Sequence, residues 1–247
     1  MPSTYNPTRR NKNIGTAKSG HDSDNKLTVP NRFSDSLNFW ERIYDYKIIK
    51  KKINSKTITF LIEKTKKDYL YTFTIVELTN LLKKIPREDW MGIELFVLRQ
   101  PKKKEIILDP VWGRLSYEAD FKGYKGPAIF LEAINVHKAI VWPNSLTPES
   151  KKELKRLEED GHKVIQNKKN ITIHITKDSA KNTQLFRTLL HEIGHFVHWN
   201  TTVLQPAKNT QDLKKLKTRY LSIPEQEKET FAHRYAEKIR KKINKIT

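Results

Sequence analysis

The order of the predicted elements indicates an α+β fold, with a mixed sheet first and helices last. Segments rich in β-branched and aromatic residues lie between residues 57 and 132, and three helical patterns close the chain at about 182–200, 209–220 and 224–245. Of the 247 residues, 36% are hydrophobic and 10% are aromatic, which is enough to bury a core. A chain of this length forms one large domain, or a domain with a small companion.

Composition divides the chain into three segments. Residues 1–30 are mostly polar, with several lysines and arginines, and we expect them to form a disordered basic arm. Residues 31–140 are predicted to form an N-terminal α/β lobe of unknown role, beginning with a short helix at 36–44. Residues 141–247 are predicted to form the functional core.

Within the N-terminal lobe, the patterns predict several strands and one helix. Residues 57–62 and 69–74 are predicted to pair as a hairpin. Thr74 and Glu77 have the capping-box spacing, and the apolar-periodic run that follows them ends before Pro86. Further strands are predicted at 93–98, 106–108 and 128–132.

The functional core begins with a helix and a strand. Thr147 directly precedes Pro148, and proline favours the first position of a helix, which we expect to end near Gly161. Residues 171–176 alternate between apolar and polar side chains, as in a half-buried strand. This predicted strand leads into the helix at 182–200.

The formal net charge of +20 bears on the partners of the protein. So basic a chain suits a nucleic acid, an acidic substrate or an anionic membrane. However, Lys is much more frequent than Arg, whereas nucleic-acid interfaces draw strongly on Arg. An AT-rich genome also produces a Lys-rich composition without selection for binding. Nucleic acid is therefore an alternative partner, and no sequence motif supports it.

The sequence contains no cysteine, which excludes disulfides and cysteine-based zinc sites. No stretch approaches the roughly 20 apolar residues that span a bilayer, and the first residues lack the apolar run of a secretory signal. We therefore expect a cytoplasmic protein without a membrane partner.

Residues 191–195 read His-Glu-Ile-Gly-His, which is an HExxH motif. On a helix, positions i and i+4 share one face, so His191 and His195 can bind the same metal ion. Imidazole nitrogen suits zinc, and catalytic zinc sites have three protein ligands and a water. Glu192 follows the first ligand and can act on that water as a general base. The uncharged residues around the motif are typical of a buried metal-binding helix.

A third ligand has to come from another element, and the last predicted helix offers two candidates. Glu227 and Glu229 flank its apolar stripe. Small residues, Ala232 there and Gly194 in the motif, allow the two helices to approach closely. His198 shares the face of the motif histidines but lies near the helix end, so we interpret it as a neighbouring or surface group.

This combination of motifs resembles the zincin metallopeptidases of the gluzincin type. Residues 229–236, Glu-Thr-Phe-Ala-His-Arg-Tyr-Ala, are most similar to the lethal-factor type, in which such a helix supplies the third ligand. That resemblance implies Glu229, whereas the register of the ImmA/IrrE-type peptidases implies Glu227. The lethal-factor type also places a tyrosine before this helix as an oxyanion donor. Here that tyrosine is Tyr220, two residues further from the glutamate than in the family pattern.

The resemblance covers residues 165–240 and implies a zincin-like fold, in which a mixed sheet precedes the HExxH helix and a third-ligand helix. It implies one Zn²⁺ per chain and hydrolysis of a protein or peptide substrate, with Glu192 as general base. It also implies that the strand at 171–176 is an edge strand that pairs with extended substrate.

Two other functions stay open on the sequence alone. One is a zinc-binding regulator or sensor with little proteolysis. The other is a basic nucleic-acid-binding protein with a secondary metal site. A peptidase that acts on acidic or nucleic-acid-associated proteins would fit both the net charge and the motif.

Overall fold

The computed structural model describes residues 42–108, 111–121 and 123–245 and has an α+β architecture. The strands are β1 (Tyr46–Ile53), β2 (Lys56–Glu63), β3 (Leu95–Arg99), β4 (Gly113–Phe121), β5 (Tyr124–Glu132), β6 (Ile140–Pro143), β7 (Lys163–Gln166) and β8 (Asn170–His174). The helices are α1 (Ile75–Lys84), α2 (Lys103–Leu108), α3 (Pro148–Glu159), α4 (Lys177–Thr183), α5 (Leu189–Trp199), α6 (Thr210–Leu221) and α7 (Glu225–Asn244). The predicted arm at 1–30 and most of the helix predicted at 36–44 lie outside the described residues.

The larger sheet has five strands in the order β1-β2-β3-β5-β4. Strands β2, β3 and β5 are parallel, while β1 and β4 run antiparallel to their neighbours and form the two edges. The prediction of a mixed sheet is confirmed. Strand β4 carries a β-bulge between Ser116 and Ala119, opposite Pro127, which has no backbone N–H for the ladder.

The hairpin at the start of the sheet differs from the predicted one. Strand β2 pairs with β1, which precedes it, and not with residues 69–74, where only Leu70 forms an isolated bridge with Ile134. Asn54 and Ser55 have φ angles of 48° and 69°, the left-handed conformation that a two-residue hairpin turn requires. The frequent lysines of β1 hid its strand character from sequence analysis.

Helix α1 confirms the predicted capping box. The Thr74 side chain accepts a hydrogen bond from the Glu77 backbone N–H, and the Glu77 carboxylate accepts one from the Thr74 backbone N–H. The helix ends at Lys84, before Pro86. Its buried leucines pack against the sheet.

The prediction of a strand at 106–108 is wrong, because these residues belong to helix α2. Glu105 Oε2 accepts the Lys102 backbone N–H at 2.9 Å and contacts Arg99 Nη2 at 2.6 Å. Arg99 also pairs with Glu132 at 2.9 Å, and all three charged side chains are buried. This buried ion pairing, which an apolar pattern does not reveal, stabilises the helical turn.

One face of the large sheet is covered by α1, α5 and α7, which together form the main hydrophobic core. The core contains residues from both predicted segments, 31–140 and 141–247, so a shared set of side chains holds them together. Its largest fully buried members include Trp90, Phe60, Phe96 and Phe196. The opposite face of the sheet packs a smaller cluster that includes Val97 and Phe130.

The second sheet has three strands in the order β6-β8-β7, both pairs being antiparallel. Strand β8 contains most of the predicted segment 171–176 and lies between two neighbours. The prediction that it is a substrate-binding edge strand is therefore wrong. The alternation of apolar and polar residues in β8 arises because Ile171 and Ile173 are buried against α3. Such alternation does not indicate how many strands flank the segment.

The helices of the C-terminal half follow the prediction closely. Thr147 caps α3, with Pro148 at its first turn, and Gly161 has a φ of 94° just after the helix. Helices α4 and α5 are joined by a π-helical segment, Gln184–Thr188, and a second one, Asn200–Leu204, follows α5. The helical run therefore extends from Lys177 to Leu204, beyond the predicted range of 182–200 at both ends. In the described part of the chain, no helix combines the length and apolar character needed to cross a bilayer.

Candidate metal centre

Helices α5 and α7 touch at their backbones, and this contact positions the candidate site. A Cβ atom added at Gly194 would lie 3.0 Å from both the Cα and the carbonyl oxygen of Ala232, and 3.1 Å from Cδ1 of Tyr235. Small side chains at the crossing are therefore required for this approach. The approach brings the first turns of α7 over the histidines of α5.

We predict that Gly194→Val separates the two helices, because the added atoms meet backbone that cannot rotate away. The expected loss of unfolding free energy is about 1–3 kcal/mol, measured by urea denaturation. Lys241→Val is the matched control, since it introduces the same side chain at an exposed position of α7. Equal stability of the two variants would contradict the prediction.

Three side-chain donors from the two helices converge at one point. His191 Nε2 and His195 Nε2 are 3.0 Å apart. Glu229 Oε2 lies 3.2 Å from His191 Nε2, and Glu229 Oε1 lies 3.2 Å from His195 Nε2. The structure thus brings together the predicted residues His191, His195 and Glu229.

The spacing of these donors fits a single small cation. Donors bound tetrahedrally to zinc at about 2.0–2.1 Å are about 3.3–3.4 Å from one another. The observed separations of 3.0–3.2 Å are close to that value. The set of two imidazoles and one carboxylate is also one that zinc prefers.

Electrostatics within the trio favour a charged carboxylate. The contacts with His191 and His195 hold the pKa of the Glu229 carboxyl well below its usual range. Burial alone lowers the pKa of His195, but the contact with Glu229 and the charge of Glu192 outweigh burial and raise it. The Glu229 carboxyl therefore stays ionised at neutral pH, as a ligand of a cation requires, whereas a metal ion has to compete with a proton for His195.

The two motif histidines are oriented by packing. Their Nδ1 atoms are buried and have no hydrogen-bond partner among the described residues. Zinc-ligating histidines commonly donate that N–H to a carboxylate or carbonyl. Here the His191 ring instead packs against the rings of His195 and His233, with centroids 4.5 and 4.4 Å away. The Nε2 atoms are the ones that face Glu229.

Glu192 lies between the metal-binding face of α5 and the edge strand β4. Its side chain is buried, and Oε2 accepts the backbone N–H of Leu115 at 2.7 Å. Burial raises the pKa of Glu192, against the opposing effect of His191 and His195. A carboxylate with increased proton affinity and a fixed orientation suits a general base.

A second possible ligand set shares two of the three residues. Nitrogen or oxygen atoms of His191, Glu229 and His233 all lie within 4.8 Å of one another. His233 Nε2, however, is 4.0 Å from Glu229 Oε2 and 3.3 Å from the guanidinium of Arg156. Because the set with His195 is tighter and, within the described residues, no Lys or Arg contacts its donor atoms, we favour it. Sequence analysis missed His233, although its i+4 spacing from Glu229 places it on the same helix face.

Burial lowers the pKa of His233 to about 4, with the neighbouring His191 and Arg156 acting in the same direction. The ring is therefore neutral at physiological pH, and its Nε2 can accept a hydrogen bond from Arg156. His233 belongs to the wall of the site next to Glu229.

Tyr220, the predicted oxyanion donor, is buried at the end of α6. Its ring contacts His198 and Trp199, and its hydroxyl is 3.1 Å from the hydroxyl of Tyr117. Burial raises the pKa of both tyrosines, so both are neutral phenols. Tyr117 lies in the bulge of β4, two residues after Leu115, and the sequence pattern did not single it out.

His198 and Glu227 lie apart from the converging donors. His198 is buried and stacks on Phe231, with ring centroids 4.5 Å apart. Both residues line a groove of about 780 Å³ along a neighbouring face of α7. The groove contains none of the three donors, so we do not assign the chemistry to it. The other residues that line it are Pro224, Gln226, Thr230, Phe231, Arg234, Tyr235 and Lys238.

Comparison of the chain with protein-family models, with curated proteins and with solved structures finds no match. The resemblance to zincin peptidases therefore depends on the motif residues themselves.

Proposed function

We propose that this protein is a zinc-dependent peptidase with a zincin-like fold, in which His191, His195 and Glu229 hold the metal. The observation that carries the proposal is the convergence of two Nε2 atoms and one carboxylate within 3.0–3.2 Å. Glu192 beside this trio supports catalysis as well as binding, because a buried carboxylate next to the metal ligands, but not among them, can act as a general base.

Zinc in such a site polarises a carbonyl group and lowers the pKa of water toward about 7. In the proposed reaction, Glu192 takes a proton from the attacking water and passes it to the leaving amine. The hydrogen bond from the Leu115 N–H fixes the orientation of this carboxylate. His191, His195 and Glu229 bind the metal and take no part in proton transfer.

Strand β4 is the proposed site of substrate alignment, in place of the strand at 171–176. It is an edge of the larger sheet, and the Leu115 N–H on its free side points to Glu192. An extended peptide can add to such an edge by backbone hydrogen bonds. This would place the scissile bond alongside the catalytic carboxylate.

The phenol pair of Tyr117 and Tyr220 is the proposed source of an oxyanion donor. Tyr220 is almost completely buried, while Tyr117 lies on β4 near Glu192. We therefore assign Tyr117 to the substrate side of the pair and Tyr220 to the role of orienting its hydroxyl. This modifies the direct role that the family resemblance implies for Tyr220.

Elemental analysis of the purified protein after dialysis tests the metal site. We expect about one zinc per chain in the wild type, a large loss in Glu229→Ala, and full retention in Glu227→Ala. Glu227 is a matched control, since it lies on the same helix two residues away, within the groove. Loss of zinc in the Glu227 variant, or no zinc in the wild type, would contradict the proposed ligand set.

A further inference from the structure

Beside the metal centre, a cluster of charged side chains contains more guanidinium groups than carboxylates. Arg187 contacts Glu153 Oε1 at 2.5 Å and Asp160 Oδ2 at 2.6 Å. Arg240 contacts the other oxygen of Asp160 at 2.8 Å. Arg156 is the third arginine, and its nearest carboxylate oxygen in the cluster is Glu153 Oε2, at 3.7 Å. Arg156 therefore has the longest ion pair of the three arginines in this cluster.

The guanidinium of Arg156 points to the metal centre. Its Nη1 lies 3.3 Å from His233 Nε2, which in turn lies 4.0 Å from Glu229 Oε2. A single imidazole nitrogen thus lies within 4.0 Å of both the guanidinium and a proposed metal ligand. The site is most open to solvent on the side of Arg156. The side chains of Glu229, His233 and Arg156 are 43%, 32% and 25% exposed. Those of His191 and His195 are only 14% and 11% exposed.

We propose that Arg156 determines substrate specificity by binding a carboxylate of the substrate next to the scissile bond. The inference rests on the proposed peptidase function of the metal site. A guanidinium presents planar, paired donors that match a carboxylate, and charged hydrogen bonds of this kind are stronger than neutral ones. His233 and Glu153 both contact Nη1 of Arg156, and within the described residues no hydrogen bond or ion pair occupies its Nη2 or Nε.

The distances limit where this carboxylate lies on the substrate. Consecutive residues of a peptide are about 3.8 Å apart, so the path from Glu229 through His233 to Arg156 corresponds to one or two residues. The carboxylate is then either the C-terminal group of the peptide or an Asp or Glu side chain at that position. Both sources share one chemistry, and the net charge of +20 favours acidic substrates in either case.

Peptide binding without turnover tests the proposal. Three dansyl peptides are compared by fluorescence on the full chain carrying Glu192→Gln, with and without zinc: dansyl-Gly-Ala-Phe, its C-terminal amide, and dansyl-Gly-Ala-Glu amide. We expect at least one carboxylate peptide to bind about 10- to 100-fold more tightly than the Phe amide, as for a charged hydrogen bond. Which of the two binds more tightly identifies the source of the carboxylate.

Variants of the arginine decide the assignment. Arg156→Gln should abolish the preference, Arg156→Lys should retain part of it, and Lys155→Gln, which removes an exposed neighbouring charge, should leave it intact. Equal binding of all three peptides, or a preference that survives Arg156→Gln, overturns the proposal. The outcome is distinguishable from failure of the peptidase function, because binding is also recorded without zinc and requires no hydrolysis.

Discussion

Glu192→Gln is expected to reduce peptide hydrolysis by about 10²- to 10⁴-fold, the usual contribution of a general base. Glutamine keeps the shape of the side chain and can still accept the Leu115 N–H, so the fold should be preserved. It cannot take a proton from water. The measurement is kcat on a peptide substrate, together with zinc content, which should be unchanged because Glu192 is not among the converging donors.

Glu237→Gln provides the control for this experiment, since it makes the same chemical change at an exposed position of α7. Its activity should match the wild type.

Comparison of the wild type with Glu192→Gln in cells distinguishes a peptidase from a zinc-binding regulator. A Glu192→Gln protein that retains its full cellular function would exclude proteolysis as that function.

Asp160→Ala is expected to destabilise the protein by about 3–5 kcal/mol, as when one partner of a buried ion pair is removed. Asp160 is completely buried after the end of α3. It accepts hydrogen bonds from Arg187 at 2.6 Å, from Arg240 at 2.8 Å and from the Thr183 hydroxyl at 2.9 Å. It thereby joins α3 to the segment before α5 and to α7, and its loss leaves two guanidinium groups poorly compensated.

Urea denaturation measures this loss as a change in unfolding free energy. The control is Asp178→Ala, because Asp178 is 88% exposed and its ion pair with Lys181 is 3.8 Å long. That change should cost less than about 1 kcal/mol. Similar stabilities for the Asp160 and Asp178 variants would show that the buried network contributes little.

Local signals in the sequence predicted several of the helices well. The Thr74–Glu77 capping box and the Thr147–Pro148 helix start are encoded by neighbouring residues, and both occur as expected. The HExxH spacing predicted which side chains share a face of α5. Such features depend on interactions within one or two helical turns, so a single sequence reveals them.

Features that depend on distant pairing were predicted less well. Three such features are the pairing of β2 with β1, the central position of β8 in its sheet and the helical turn at α2. Each depends on hydrogen bonds or ion pairs with residues outside the element itself. The crossing of α5 and α7, which brings Glu229 within 3.2 Å of both motif histidines, also depends on distant contacts. The sequence did not single out Arg156, because no motif or spacing distinguishes it from the other charged residues of α3.

The two edges of the larger sheet differ in a way that affects self-association. Strand β1, at one edge, carries four lysines within eight residues, whereas β4, at the other edge, has none. Lysines on an edge strand repel a second strand of the same charge and so prevent copies of a protein from joining edge to edge. The lysines of β1, which contribute to the high net charge, thereby protect the protein against edge-to-edge association. Under the proposed function, the lysines keep copies of the protein apart at β1, while β4 is the edge that accepts the substrate chain.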